Sequence, residues 1–269
     1  MNAFHDQPAG AVPKPPDCAL MLAGLRTALP GLSLLERVEE VRPYECDGLP
    51  AYRQLPQAVV LPRTEAELKA VLEACRRHRV PVVARGAGTG LSGGAMPHAE
   101  GIVVALARFM KILEIDPAAR VARVQPGVRN LALSEAAAPF NLYYAPDPSS
   151  QIACTLGGNV AENSGGVHCL KYGLTVHNVL AVRALVLSEE GVDEVTFGSK
   201  APDSPGFDLL AAINGSEGML AVATEITVRL TPKPDTAQVV MASFATVAAA
   251  CDAVAAIIAA GIIPAGLEM

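Results

Sequence analysis

Positive charge is scarce in this chain and short of Lys and Arg runs: 21 Lys and Arg stand against 27 Asp and Glu, a formal charge of −6. A nucleic-acid surface needs clustered cations to displace counterions, so that class of function is excluded. Any anionic ligand must be held mainly by backbone dipoles. The six cysteines, Cys18, Cys46, Cys75, Cys154, Cys169 and Cys251, form no C-x-x-C pair and no dense framework. That excludes a small disulfide scaffold and points to reduced thiols in a cytosolic protein. His5, His78, His98, His168 and His177 lack the spacing of helical zinc sites, so no metal is expected. Residues 1–17 contain four prolines without the basic start and apolar run of a signal peptide, and read as a loose arm. A membrane span needs about 20 uninterrupted apolar residues. The nearest candidate, Phe244 to Ile263, has Asp252 in its middle and Gly261 and Pro264 at its end, and reads as a buried alanine-rich helix.

What the chain does have is apolar content of 51% over 269 residues, enough for one large domain or two modest ones. The clearest helix follows Pro62. Thr64 and Glu67 make a T-x-x-E capping box, and Leu68, Val71, Leu72 and Cys75 follow at helical spacing up to about His78. Apolar runs at Ala58–Leu61 and Val80–Ala84 flank it, which predicts a parallel βαβ unit with the helix as crossover. Lys111–Ile115 and Val121–Gln125 are β-rich and joined by Asp116-Pro117-Ala118-Ala119, a hairpin signal. Gly127–Pro139 is helical in composition. Val179–Leu187, Val192–Phe197 and Leu220–Leu230 are strand candidates. After a linker at Thr231-Pro232-Lys233-Pro234 the pattern predicts a strand at Ala237–Phe244, a helix at Val247–Ala260 and a strand beginning at Ile262. A βαβ unit left unfinished cannot bury both faces of its sheet, so the expectation is the front part of a longer protein.

Three glycine-rich segments carry the chemistry. Arg85-Gly86-Ala87-Gly88-Thr89-Gly90-Leu91-Ser92-Gly93-Gly94 follows directly on a predicted strand, and its five glycines let several N–H groups converge on one ligand, as a diphosphate requires. Gly88, Gly90 and Gly93 also match G-x-G-x-x-G, but a Rossmann loop must open a helix. Met96-Pro97 and Gly101 leave no room for one before the next strand, Ile102–Leu106, so nicotinamide binding is disfavoured; a flexible surface loop stays open. In the second segment, Pro146-Asp147-Pro148-Ser149-Ser150 runs extended. Gly157 and Gly158 there clear space for a flat ring, while Thr155, Asn159, Asn163 and Ser164 offer polar groups to ring edges; the alternative is a glycine-rich turn with Asn caps. The third, Asn214-Gly215-Ser216-Glu217-Gly218-Met219, precedes a strand and is equally compatible with an ordinary turn.

Together these segments, with Gly157-Gly158-Asn159-Val160-Ala161-Glu162-Asn163-Ser164-Gly165-Gly166 and Lys171-Tyr172-Gly173, resemble the FAD-linked oxidases of the vanillyl-alcohol oxidase type. The resemblance runs from about Tyr44 to Met269 and is nearest to the bacterial glycolate oxidase large subunits and the D-lactate and D-2-hydroxyglutarate dehydrogenases. It implies an α+β fold in which two subdomains clamp FAD, over residues 54–234. An N-terminal arm and helical segment (1–53) would precede it, and a truncated start of an α+β substrate domain (235–269) would follow. It further implies that Arg85, Gly86, Ala87, Gly88, Thr89, Gly90, Leu91, Ser92, Gly93 and Gly94 cradle the pyrophosphate. Pro146, Asp147, Pro148 and Ser149, with Thr155, Gly157, Gly158, Asn159, Ala161, Asn163, Ser164 and Gly165, would line the ribityl chain and isoalloxazine. Glu217, Gly218 and Ile226 would meet the adenosine.

Relatives with covalent flavin carry a histidine where this chain has Thr89, so noncovalent FAD is expected. The implied reaction is hydride transfer from a small 2-hydroxy acid, glycolate or D-lactate, to flavin N5, with a base taking the hydroxyl proton. Electrons would pass to partner subunits, an iron–sulfur subunit among them, in the cytoplasm, any attachment to the inner membrane face being made through those partners. The family's metal-binding H-x-G-D-G-N-x-H motif and catalytic histidine are not in these residues, so this stretch alone is expected to bind FAD without turnover. Ser188–Pro205 departs from the family pattern, with Glu189-Glu190-Gly191 for its Asp-Gly turn, and receives no role. The alternative is a noncatalytic FAD-binding accessory subunit.

Overall fold

The computed structural model describes residues 16–199 and 206–268; most of the N-terminal arm (1–15), the end of the Ser188–Pro205 stretch (200–205) and Met269 lie outside the described residues.

Helix α1 (Cys18–Ala28) leads into a short strand β1 (Ser33–Leu35), a single helical turn α2 (Val38–Val41) and then β2 (Ala58–Leu61). Helix α3 (Glu65–His78) connects β2 to β3 (Val82–Arg85), and β4 (Ile102–Ala105) follows. The sheet order is β1-β2-β4-β3, with β2 and β3 each parallel to β4, so the predicted βαβ unit forms with β4 inserted between its strands. The cap of α3 is partly as predicted. Thr64 Oγ1 accepts from Glu67 N at 3.1 Å, but the Glu67 carboxylate reaches back to Arg63 N at 2.7 Å, one residue before the cap.

The 3.6-residue spacing of Leu68, Val71, Leu72 and Cys75 buries one face of α3 against Ala58, Val60, Ile102 and Val104 and against Met21, Leu22 and Leu25 of α1. On the other face of the sheet, Val59, Val103 and Ala105 pack with Val41, Tyr44 and Leu55. Part of the stretch expected to be an N-terminal arm and helical segment (1–53) therefore forms a layer of this subdomain, and β1 is a strand the sequence pattern did not reveal.

The second sheet is antiparallel, ordered β5-β6-β10-β8-β9. The predicted hairpin is β5 (Ile112–Asp116) and β6 (Val121–Val124), its turn tied by Asp116 Oδ1 accepting from Ala119 N at 2.9 Å. After α4 (Asn130–Ala137), β7 (Leu142–Tyr143), α5 (Leu156–Glu162), α6 (Cys169–Tyr172) and α7 (Thr175–Asn178) come β8 (Val179–Leu187) and β9 (Val192–Gly198). The turn α8 (Leu209–Ile213) precedes β10 (Val222–Arg229). One face of this sheet, through Ala122, Val124, Val182, Ile226 and Val228, buries Leu133 of α4 and Leu156 and Val160 of α5. On the other, Arg183 bridges Glu194 (2.8 Å), Glu225 (3.2 Å) and Glu65 of α3 (2.7 Å), tying the two subdomains.

Beyond β10 the expectations need correction. Thr231–Pro232, read as linker, is strand β11 paired antiparallel with β7. Ala237–Phe244 forms no strand and lies exposed, because a strand needs a pairing edge and none among the described residues faces it. Helix α9 (Val247–Ala259) forms where expected, capped by Thr246, but none of its residues is buried. Ile262 starts no strand: its N–H closes the helix end on Ile257 O at 3.2 Å after Gly261 at φ +75°. Among the described residues no helix is long and apolar enough to cross a membrane.

Candidate functional site

Between the two sheets lies a cavity of about 480 Å³, a size typical of cofactor sites. Its walls come from the loop after β3, the segment 148–165 around α5, the turn 216–218, and the strands β8 and β10.

The first loop makes the floor. The N–H groups of Ala87, Gly88, Thr89 and Gly90 donate to no protein acceptor among the described residues, whereas the Gly93 N–H is taken by Asp47 Oδ2 at 2.7 Å. Four successive uncommitted donors are what a diphosphate needs. Gly88 sits at φ +71°, in the left-handed region that L side chains avoid, and a Cβ there would strike the Arg85 guanidinium. Arg85 itself is buried, donates to Cys46 O at 2.7 Å and Ala95 O at 3.3 Å, and lies 5.5 Å from the Tyr44 ring centre. Burial lowers its pKa, opposed by Cys46, Tyr44 and Asp47. Arg85 thus braces the loop from within.

In the second segment several of the polar groups expected to meet a ring already bond to the protein, Asn159 through both ends of its amide and Thr155 and Asn163 as acceptors. Thr155 Oγ1 caps α5 through Gly158 N at 3.3 Å. Asn159 Oδ1 accepts from Asn130 Nδ2 at 2.9 Å, and Asn159 Nδ2 donates to Ser164 Oγ at 3.1 Å and Cys154 Sγ at 3.3 Å. Asn163 Oδ1 accepts from Val176 N at 2.9 Å. These bonds hold the loops in register, while the Asn163 Nδ2 and Thr155 O–H donors meet no protein acceptor among the described residues. Gly157 is small for Pro126, whose Cβ would lie 2.6 Å from a Cβ at 157. Gly158 is different: a Cβ there meets only Thr155 Oγ1, at 3.4 Å, so its face is open to the cavity.

Of the residues expected to bind a cofactor, Arg85, Gly86, Ala87, Gly88, Thr89, Gly90, Leu91, Gly94, Pro148, Ser149, Thr155, Gly157, Gly158, Asn159, Ala161, Asn163, Ser164, Gly165, Glu217 and Gly218 line the cavity. Five expected residues lie outside it. Ser92 Oγ bonds Glu162 Oε1 at 2.6 Å, and Gly93 is held by Asp47. Pro146 O accepts from Asn130 at 3.0 Å, and Asp147 Oδ2 lies 2.5 Å from His168 Nδ1. Ile226 is fully buried in the core beside Val124 and Val182, its strand position fixing it there. Asp47, Glu162 and Ser216 also line the cavity and were missed. Glu162 and Ser216 belong to the second and third glycine-rich segments, whereas Asp47 falls outside all three, in the N-terminal 1–53 segment. Glu217, at φ +52°, has its pKa raised by burial and by Glu162 and Asp47 nearby.

The open loop donors, the clear face at Gly158 and the cavity's size fit a diphosphate carrying a flat ring. Comparison with known proteins agrees. The FAD binding domain family model matches residues 56–191. The glycolate oxidase subunit GlcD of Escherichia coli K12 is 59% identical over 266 residues, covering 99% of this chain and 52% of that protein. GlcD of Bacillus subtilis is 43% identical over 225 residues, 84% of this chain and 47% of that one. A D-lactate dehydrogenase of Archaeoglobus fulgidus is 42% identical over 175 residues, 65% of this chain and 39% of that one. The chain thus spans about half the length of the curated relatives it matches. Among solved structures an alkyldihydroxyacetonephosphate synthase shares the fold, with a TM-score of 0.77 at 21% identity over 95% of this chain and 48% of that one. With its family model matched and its glycine loops gathered around one cavity, the chain belongs to the FAD binding domain family.

Proposed function

We propose that this chain holds FAD noncovalently in the cavity between its sheets, as the FAD-binding part of a flavin-dependent oxidoreductase for small 2-hydroxy acids such as glycolate or D-lactate. The observation that carries the reading is the run of N–H groups from Ala87 to Gly90, in residues that line the cavity, with no protein acceptor among the described residues. Those groups hold the pyrophosphate. The face opened by Gly158, with Pro148, Ser149 and Gly165, receives the isoalloxazine, and Glu217 and Gly218 lie toward the adenosine. Bound there, the flavin supplies a hydride acceptor at N5. The chain's own residues hold the cofactor and exclude water from one of its faces. Thr89 stands where a covalent linkage would need histidine, which supports noncovalent binding.

The 2-hydroxy-acid substrate is inferred from relatives named as glycolate oxidase subunits and D-lactate dehydrogenase. Because two of them are named as subunits, we place the chain in a multi-subunit cytoplasmic assembly in which an iron–sulfur subunit receives the electrons. Residues 54–234 would be the FAD-binding domain, and 235–269 would open the substrate domain.

Acid precipitation of the purified protein, with chromatography of the supernatant, tests the cofactor reading. FAD in solution is expected; flavin retained in the pellet, FMN, or no flavin would overturn it. Anaerobic mixing of a chain of the relatives' length with glycolate, D-lactate or D-2-hydroxyglutarate tests the substrate class, the expected result being bleaching of the visible flavin bands by at least one of them.

A further inference from the structure

We propose that the segment Tyr44–Gly48, which precedes the family-matched residues, is a strap that holds the first glycine loop in its ligand-ready shape, with Asp47 as the positioning residue. The inference rests on the FAD reading above.

The strap meets the loop from outside through bonds that leave the ligand-facing donors free. Both Asp47 carboxylate oxygens are used within the chain. Oδ2 accepts from Gly93 N at 2.7 Å, and Oδ1 accepts from Leu49 N at 2.8 Å, closing the strap's own turn. Gly48 N donates to Gly90 O at 2.8 Å. Contact there is so close that a Cβ at Gly48 would lie 2.9 Å from the carbonyl oxygens of both Thr89 and Gly90. From the loop side, Arg85 returns the contact by donating to Cys46 O at 2.7 Å and lying over Tyr44.

A carboxylate lining a diphosphate site is a paradox unless its charge is directed elsewhere, since like charges repel. Here it is directed to two backbone N–H groups, and charge-assisted bonds of this kind are the strong ones. The division of labour follows. Gly93 N–H is turned away from the ligand to anchor the loop's far end, Gly90 O is anchored by Gly48, and the N–H groups of residues 87–90 between β3 and those anchors stay available. Holding a loop in its bound shape before the ligand arrives raises affinity by removing the cost of ordering it.

The test uses Asp47→Ala, Asp47→Asn and Gly48→Ala in the same chain, with two readouts: FAD affinity by titration of the flavin-free protein, and amide exchange of the unliganded protein. Asp47→Ala and Gly48→Ala should weaken FAD at least tenfold and speed exchange of the hydrogen-bonded amides of Gly93 and residue 48 at least tenfold, while exchange in β6, β8 and β10 stays as in the wild type. Asp47→Asn, which keeps one acceptor oxygen, should fall between wild type and Asp47→Ala. The proposal is overturned if FAD affinity stays within threefold of wild type, if loop exchange is unchanged, or if protection is lost equally in the second sheet, the sign of general destabilisation. If the wild-type chain binds no FAD, the functional reading fails, and the exchange data still decide whether the strap holds the loop.

Discussion

Gly88 and Gly90 look equivalent in the sequence, where a β-branched residue at either position is predicted to abolish cofactor binding, yet the structure separates them. At Gly88 the backbone is left-handed at φ +71°, and a Cβ would run into the buried Arg85 guanidinium. The left-handed conformation costs an L-residue about 1–2 kcal/mol. Displacing Arg85 from Cys46 O and Ala95 O forfeits a charged hydrogen bond, roughly 1.5–3 kcal/mol. Partial relaxation of the loop reduces the sum, so about 2–3 kcal/mol is expected for Gly88→Ala, equivalent to roughly 30- to 150-fold in FAD affinity. Gly90 has no left-handed φ, and its Cβ would meet only the Glu162 carboxylate at 3.3 Å, the movable end of a side chain. Gly90→Ala should therefore bind FAD within about threefold of wild type, under ~0.7 kcal/mol. Fluorescence titration of FAD and a thermal melt of each unliganded variant read the two places the strain can appear. Gly88→Ala binding FAD within threefold of wild type and melting with it would refute the assignment of this loop.

Three further outcomes follow from the same coordinates. Glu217 has a raised pKa from burial, Glu162 and Asp47, so its proton stabilises the fold below the ordinary glutamate range, and that stability is lost as pH rises through the raised value. Glu217→Gln should melt higher than wild type at neutral pH, with the gap closing on acidification; a gap that widens would contradict it. Burial pushes the Cys75 thiol up to about 12, and Cys154 is also buried, whereas Cys169 and Cys251 are exposed. A disulfide reagent should then modify Cys169 and Cys251 rapidly and spare Cys75 and Cys154 until the protein unfolds; uniform labelling of the native protein would count against this packing. Ile226→Ala, deleting a fully buried side chain in the second sheet, should cost about 2–4 kcal/mol of stability. FAD affinity measured well below the melting range should stay close to wild type, and selective loss of FAD would return Ile226 to the binding site.

What could be read from the sequence was information stored within a few residues. Thr64 at the start of α3 and Asp116-Pro117 in the hairpin act on their own neighbours, so a short window suffices to place them. The absence of a helix after Gly94 is equally local, because Pro97 and Gly101 forbid one, and that alone separated this loop from a nicotinamide fingerprint. The spacing of the three glycine-rich segments carried the family resemblance.

Tertiary structure decided whatever depends on partners far along the chain. Strand β1 exists only because Ser33–Leu35 finds the free edge of β2, and Ala237–Phe244, whose pattern predicts a strand, finds no edge among the described residues and forms none. Asn159 looks like a ligand donor in a list of residues, but folding spends both ends of its amide on Asn130 and Ser164, and Thr155 and Asn163 accept from Gly158 and Val176. Ile226 reads as a site residue until strand pairing turns it into the core. Asp47 reads as part of an N-terminal arm and helical segment until the chain returns and sets it 2.7 Å from Gly93 N. A hydrogen bond across 46 residues leaves no periodicity for a local window to detect, so sequence could supply the loop but not what holds it.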